Sequence, residues 1–341
     1  MSRDLAVVIL NWNGHEDTIE CCESIMNNDC VECIDIFILD NYSEETSKRF
    51  IDGWMQNNTS KFNGCIFSEQ EFNQKAQFGK VNFIKGTYNR GFAAGNNFVL
   101  RNIMDQYQFF MLLNNDTTID SDAITSLVKH MNTDKDIGII GCRILNFYDR
   151  KSIWNVGGRF NWYDDRRYYS EKYIDKALNS GMKIIPSDLV SGCAMMIRQR
   201  ILQVQGPLTE RFFFGEEDFN YCKKMKLNNV RLAIALNSII YHKVSVSINK
   251  NNKTGQRVPF NRIILYFTAR IIDHKEFYSS KKWILWRMLY MSMLFIYFIR
   301  KYSSCSIAFS LIKIIKQHTD DLWEIDYCRF REIMDNEYNI R

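Results

Sequence analysis

A chain of 341 residues, 46% hydrophobic and 14% aromatic, is long and apolar enough to bury one large core, or one domain and an appendage. Ten cysteines over that length, with Cys21 and Cys22 adjacent, are not the framework of a small secreted domain; they fit a reducing cytosol and argue against zinc. The net charge of +5 is unevenly spread: residues 250–316 carry thirteen lysines and arginines against Asp273 and Glu276, a balance of +11 that leaves −6 for the rest. Such a basic segment suits anionic lipid or nucleic acid.

The chain starts MSRDLAVVIL and runs straight into a strand pattern. Its apolar stretch is too short for a signal peptide and lacks a cleavage-site pattern, so export is not expected. Residues 5–10 form a continuous apolar strand ending in Asn11-Trp12-Asn13-Gly14, and residues 15–27 take helical spacing through Ile19, Cys22 and Met26. A second strand at 34–39 also ends in polar residues, Asp40-Asn41-Tyr42-Ser43. A carboxylate at that tip can accept hydrogen bonds from a ribose or base, or cap the helix that begins near Glu44, and both roles can hold together. Residues 57–80 are polar without a period, which reads as a surface insertion. The third strand, 81–85, leads into Asn89-Arg90-Gly91-Phe92-Ala93-Ala94-Gly95-Asn96-Asn97. Small side chains there let backbone approach a ligand at the N-terminus of the next helix, or let that helix pack closely on the sheet.

The fourth strand organises the pattern. Residues 109–120 read FFMLLNNDTTID, an apolar run stopped by Asn114-Asn115-Asp116. In an open α/β sheet ligands bind at the carboxyl edge of the strands, so Asp116 stands where a metal-diphosphate needs a hard oxygen ligand; the alternative is a cap for the helix at 121–131. A fifth strand follows at 137–145. The segment from Trp154-Asn155-Val156-Gly157-Gly158 to Asp164-Asp165-Arg166-Arg167-Tyr168-Tyr169 is a mobile loop beside a polar ligand or a solvated hairpin.

A second chemical centre follows the buried strand at 193–197. Three aromatics, Phe212 to Phe214, precede Glu216-Glu217-Asp218 at a helix start. The helix dipole favours acids in a first turn. Three in a row exceed what capping requires, and their mutual repulsion raises a pKa toward the range of a general base. The strand at 230–240 ends at Tyr241-His242. Near the end, residues 283–299 (WILWRMLYMSMLFIYFI) hold one charge and are flanked by Lys281-Lys282 and Arg300-Lys301. At about 1.5 Å per residue this run falls short of a roughly 30 Å hydrocarbon core, which favours a membrane-surface helix over a span; a buried core helix or a dimer interface is the alternative.

Taken together, VVILNWNG, Asp40-Asn41-Tyr42-Ser43, Asn89-Arg90-Gly91-Phe92 with Gly95-Asn96-Asn97, Leu113-Asn114-Asn115-Asp116-Thr117, residues 192–198, and residues 211–218 followed by His242 resemble, in order and spacing, a family 2 glycosyltransferase of the GT-A type. The likeness is to the subgroup of rhamnosyltransferases and related O-antigen or capsule enzymes, and it covers roughly residues 5–242. It implies a mixed α/β sheet flanked by helices that binds a nucleotide sugar, residues 1–250, with a helical, membrane-associating C-terminal appendage, 251–341. The nucleotide-sugar site would draw on Asn13, Asp40, Asn89, Gly91, Gly95, Asn96 and Asn115. Asp116 would bind Mg²⁺ or Mn²⁺ at the diphosphate with help from His242, and Asp218 of the Glu217-Asp218 pair would be the base. Asn114 stands where many members carry Asp, which leaves metal binding resting more on Asp116.

The activity so implied is inverting transfer of a sugar, rhamnose among the candidates, from a dTDP- or UDP-linked donor. The basic, aromatic-rich C-terminal third suggests an acceptor saccharide on a polyprenyl diphosphate lipid at the inner face of the cytoplasmic membrane, with no nucleic acid involved. Two other classes compete. A non-catalytic binding relative would lack one of the two key carboxylates, whereas Asp116 and Asp218 are both present. A sugar-phosphate nucleotidyltransferase would carry a Gly-rich basic loop after strand one, where this chain has Asn11-Trp12-Asn13-Gly14.

Overall fold

The computed structural model describes residues 3–28, 31–74, 78–244, 258–338 and 340. Strands β1 (Arg3–Asn11) and β2 (Ile34–Asp40) enclose helix α1 (His15–Met26), and α2 (Glu45–Asn57), α3 (Thr59–Phe62), β3 (Cys65–Ser68) and α4 (Glu69–Gln74) lead to β4 (Val81–Lys85). Then come α5 (Gly91–Ile103), β5 (Tyr107–Asn114), β6 (Thr117–Ile119), α6 (Ala123–Thr133), β7 (Ile137–Asn146), β8 (Ile153–Asn155), β9 (Gly158–Phe160) and β10 (Arg166–Tyr168). The α/β part finishes with α7 (Glu171–Asn179), β11 (Ile184–Ser187), β12 (Ala194–Arg198), α8 (Gln199–Gln205), α9 (Glu217–Leu227) and β13 (Arg231–His242).

The central strands are apolar throughout because helices cover both faces of the sheet; every residue of β2 is buried. One face carries α1, α2 and α6, through Cys22, Ile51 and Leu127. The other carries α5, α7, α8 and α9, through Leu100, Ile174, Leu202 and Tyr221. Neighbours run β11-β13-β7-β12-β5-β1-β2-β4-β3, with β6 on β13 and β8 on β7. β1 is parallel to both β2 and β5, with Asn11 opposite Asp40 and Leu10 opposite Asn114, so three polar strand tips end at one edge.

Two antiparallel departures from this parallel core position the remaining chemistry. β12 lies antiparallel to β5 with Ala194 opposite Leu113, which sets the turn just before β12 beside the tip of β5. β6 lies antiparallel to β13 with Thr117 opposite His242, which sets that histidine beside Asp116.

The C-terminal helices α10 (Phe260–Phe277), α11 (Ser280–Tyr302), α12 (Cys305–Asp321) and α13 (Tyr327–Asp335) share a third core that also takes in Phe212. Backbone bonds between Phe213 and Ile325 and between Ile325 and Arg211, each 2.7 Å, splice this layer to the segment before α9. Trp286 of α11 donates from Nε1 to the Tyr163 carbonyl at 2.9 Å, and Arg270 of α10 pairs with Asp165.

The strands expected from apolar runs are present with ends moved by at most two residues. The 57–80 segment is not a featureless insertion: it holds the edge strand β3, whose four residues alternate between half-buried and exposed and leave too short a pattern to read. The apolar helix is also longer than its apolar run. Ser279 caps it by accepting from the Lys282 N–H, and its 23 residues span about 34 Å at ~1.5 Å each. By length and composition it could cross a membrane, but Trp286, Tyr290, Leu294 and Phe298 bury one side of it in the third core. A C-x-x-C spacing, Cys30 to Cys33, weakens the case against zinc made from cysteine placement. Cys33 is exposed, and Cys30 lies outside the described residues.

Candidate active site

The loop after β1 is built on Asn11. Fully buried, it donates from Nδ2 to Asp40 Oδ1 at 2.9 Å and to Ser43 Oγ at 3.0 Å, and its Oδ1 accepts from Thr18 Oγ1 at 2.9 Å. Asp40 accepts a second bond, from the Ser43 N–H at 3.1 Å. Asp40 is fully buried, and protein donors already engage both its oxygens. Asn13 takes a positive φ of 54° and accepts from the Glu44 N–H at 2.8 Å. Trp12 and Tyr42 stand exposed on either side.

The neighbouring loop hangs on Asn41, which donates to Asn89 Oδ1 and to the Gly91 carbonyl, both at 3.0 Å. Gly91 has φ +75° and a β-carbon there would meet the Phe213 carbonyl oxygen at 2.2 Å, so only glycine fits this first residue of α5. Gly95 packs on Leu10. Asn96 is buried and donates to the Phe92 carbonyl within its own helix. Asn115 donates to the Gly14 carbonyl and to Thr18. The seven residues anticipated for the donor thus gather at one sheet edge. Asn13, Asn89 and Gly91 shape its loops, whereas Gly95 and Asn96 sit one turn inside α5.

Asp116 Oδ1 lies 3.0 Å from His242 Nε2, and both side chains are almost wholly buried. The other ring nitrogen, His242 Nδ1, is buried with no hydrogen-bond partner among the described residues, and the imidazole and the Trp154 ring meet near-perpendicular at 4.4 Å between centroids. Trp154 in turn lines an open cleft of about 650 Å³ with Asn155, Tyr168, Tyr169, Asp218 and Phe219.

Asp218 reaches this cleft because α9 starts at Glu217 and successive helical side chains turn by about 100°. The three acids accordingly do three different things. Glu216, at φ +86°, pairs with Arg166, whose guanidinium stacks 3.3 Å from the Phe219 ring centroid. Glu217 is buried, and its Oε2 has no hydrogen-bond partner among the described residues. Asp218 accepts from the Gly192 N–H and the Phe219 N–H, each at 2.8 Å.

The turn before β12 joins the two acid centres. Gly192 holds Asp218, and the Cys193 carbonyl accepts from the Asn114 N–H at 2.9 Å, one residue from the Asn115-Asp116 pair. A β-carbon on Gly192 would press on both Asp218 and the Phe92 ring at 3.2 Å. Burial, then the charge of Asp116, pushes the Cys193 thiol well up.

Desolvation raises the Asp218 carboxyl, opposed by the Gly192 N–H and Arg166. Desolvation and then the Asp218 charge push Glu217 up from 4.5 to about 8. The native protein therefore holds the Glu217 proton to about pH 8, whereas the unfolded chain releases it near 4.5. More protons are bound in the native state across that interval, and stability falls as pH rises through it. Glu217→Gln is expected to flatten this decline by an amount on the order of a few kcal/mol, measured as the difference in urea unfolding free energy between mildly acid and mildly alkaline buffer. An unchanged slope would remove Glu217 as its source.

Sequence reading did not single out Asn11 or Asn41 as the hubs of the two loops. Their position, polar at the tip of an apolar strand, was the available signal. Arg166 had none, since its partner Glu216 lies 50 residues away.

Comparison with known proteins agrees with this geometry. The sequence profile of glycosyl transferase family 2 matches residues 6–204. The low-salt glycan biosynthesis hexosyltransferase Agl10 of Haloferax volcanii is 25% identical over 168 residues, covering 48% of this chain and 52% of that protein; the chain spans about half the length of this curated relative. Among solved structures, GalNAc-T7 with UDP, GalNAc and Mn²⁺ superposes with a TM-score of 0.60 at 14% identity, covering 99% of this chain and 58% of the other. Mannosyltransferase PcManGT from Pyrobaculum calidifontis, in complex with GDP-Man and Mn²⁺, gives 0.51 at 12%, covering 94% and 88%. At such identities the structural likeness speaks to the α/β fold alone, and it is the profile, matched over more than half of the sequence, that makes this chain a member of glycosyl transferase family 2.

Proposed function

We propose that the protein is an inverting glycosyltransferase that moves a sugar from a nucleoside-diphosphate donor to a saccharide hydroxyl. The observation that carries this reading is the turn at residues 191–193, which ties a carboxylate-imidazole pair on one side, Asp116 with His242, to a carboxylate in an open cleft on the other, Asp218. Asp218 takes the acceptor hydroxyl's proton as that oxygen attacks the anomeric carbon, and the bond to the diphosphate breaks on the opposite face. Asn13, Asp40, Asn89, Gly91 and Asn115 form the donor edge, with Asp40 acting chiefly through the loop it holds.

Asp116 and His242, whose Nδ1 has no hydrogen-bond partner among the described residues, are the side chains that would hold Mn²⁺ or Mg²⁺. Such an ion would neutralise charge on the departing diphosphate. The similar solved structures named above hold Mn²⁺ with UDP and GalNAc or with GDP-Man, which supports a nucleotide donor; dTDP- or UDP-rhamnose is our choice within that class. We place the catalytic unit at 1–250 and a membrane-facing helical unit at 251–341. The acceptor is a saccharide on a polyprenyl diphosphate lipid at the inner membrane face, in O-antigen or capsule assembly.

Incubation with a panel of nucleotide sugars, Mn²⁺ and lipid-linked acceptor is expected to release nucleoside diphosphate. Release of pyrophosphate would instead mark a nucleotidyltransferase. Donor binding with no product from any acceptor would mark a binding protein.

A further inference from the structure

Helix α11 has two apolar sides, and the third core uses one of them. Trp286, Tyr290, Met291, Leu294, Phe298 and Tyr302 point inward. On the opposite side Ile284, Leu285, Met288, Leu289, Met293 and Ile296 are each about half exposed or more, with Leu285, Met288 and Leu289 above 60%. These positions recur at three- and four-residue steps and so form one continuous stripe along the helix. Phe309 of the adjoining α12 is also exposed, at 65%. An apolar stripe of this length on the outside of a folded protein marks an interaction surface.

Charge decides what meets it. Lys281 and Lys282 stand at one end of the stripe, Arg300 and Lys301 at the other, and α11 contains no acid. If a second copy covered the stripe, antiparallel pairing would put Lys281 and Lys282 against the partner's Arg300 and Lys301, and parallel pairing would put like ends together. Either arrangement sets cation against cation. An anionic lipid surface has the complementary composition: acyl chains for the stripe and negative headgroups for both ends. The packed side also excludes a simple span, because a helix sealed along one side into a soluble layer cannot be surrounded by lipid.

We infer that α11 docks in the plane of an anionic membrane by its outward stripe, sinking Leu285, Met288, Leu289, Met293 and Ile296 below the headgroups while its inner side stays in the protein. This deepens the membrane-surface part of the function proposed above and is independent of its sugar chemistry. Docking also has a path to the catalytic cleft. On its inward side α11 holds the Tyr163 carbonyl through Trp286, in the loop that leads through Arg166 to Tyr168 of the cleft wall.

The test is sedimentation of the full-length protein with phosphatidylglycerol-phosphatidylcholine vesicles and with phosphatidylcholine vesicles, without donor or acceptor, so that failure here and failure of transferase activity remain distinct. Wild type is expected to bind the anionic vesicles and to be released by high salt. The double variant Leu285→Glu/Leu289→Glu should bind at least roughly tenfold less, with an unchanged melting temperature because both side chains lie on the surface. The charge variant Lys281→Ser/Lys282→Ser/Arg300→Ser/Lys301→Ser should lose the preference for anionic vesicles. Equal binding by wild type and the double variant would overturn the inference. So would equal binding of wild type to both vesicle types, or a dimer in solution that the double variant converts to monomer without any loss of vesicle binding.

Discussion

Asp218→Asn is expected to lower kcat for sugar transfer by roughly 10²- to 10⁴-fold, the usual contribution of a positioned general base, and to leave KM for the donor within a few fold. In the mechanism proposed above the base lines the cleft, and of the three consecutive acids only Asp218 does so. Asparagine preserves size but supplies one acceptor oxygen where the carboxylate satisfies two backbone donors, Gly192 and Phe219. Some stability should therefore be lost, about 1–3 kcal/mol if one donor is left unpaired. The readouts must accordingly be separated: nucleoside diphosphate release per folded molecule for the chemistry, and urea unfolding for the fold. Transfer near the wild-type rate by the folded variant would remove Asp218 from this role.

The second large effect concerns Asp116. Asp116→Ala is expected to reduce kcat/KM by about 10³-fold, since stabilising the leaving diphosphate through a carboxylate-held cation is worth several kcal/mol. It should also abolish the Mn²⁺-dependent part of the rise in melting temperature that UDP or dTDP produces in the wild type. That second readout does not depend on turnover, because a ligand that binds only the folded state raises the melting temperature by mass action. His242→Ala should act in the same direction and more weakly, because it removes the imidazole and leaves the carboxylate. If Asp116→Ala kept the full Mn²⁺-dependent shift, the cation would be held elsewhere and the pairing of Asp116 with His242 would be structural.

Much of the sheet was legible because its central strands are buried on both faces and therefore continuously apolar. β1, β2, β4, β5 and β7 each announce themselves by such a run and stop at polar residues. The short edge strand β3 did not, since four half-exposed residues carry too little pattern; the hairpin of β9 and β10 was one of the two readings left open for its segment. The apolar C-terminal helix was legible as a helix, but its ends were set by the Ser279 cap and the left-handed Ser303, six residues beyond the apolar run in total.

The chemistry divides along the same line. From residue order alone came the candidates for the site: a carboxylate at the tip of the fourth strand, three acids at the start of a helix, a histidine at the end of the last strand, and an apolar helix bracketed by lysines and arginines. Local patterns suffice there, because a strand or helix exposes its own ends. Tertiary structure alone decided which groups meet. Antiparallel β6 and β13 set His242 against Asp116 across 126 residues, antiparallel β12 placed Gly192 between the two acid centres, and the rotation of α9 gave the cleft to Asp218 instead of Glu216 or Glu217. The reason is that strand register and helix phase are set by packing across the sheet, between residues distant in sequence, and no local run of side chains encodes them.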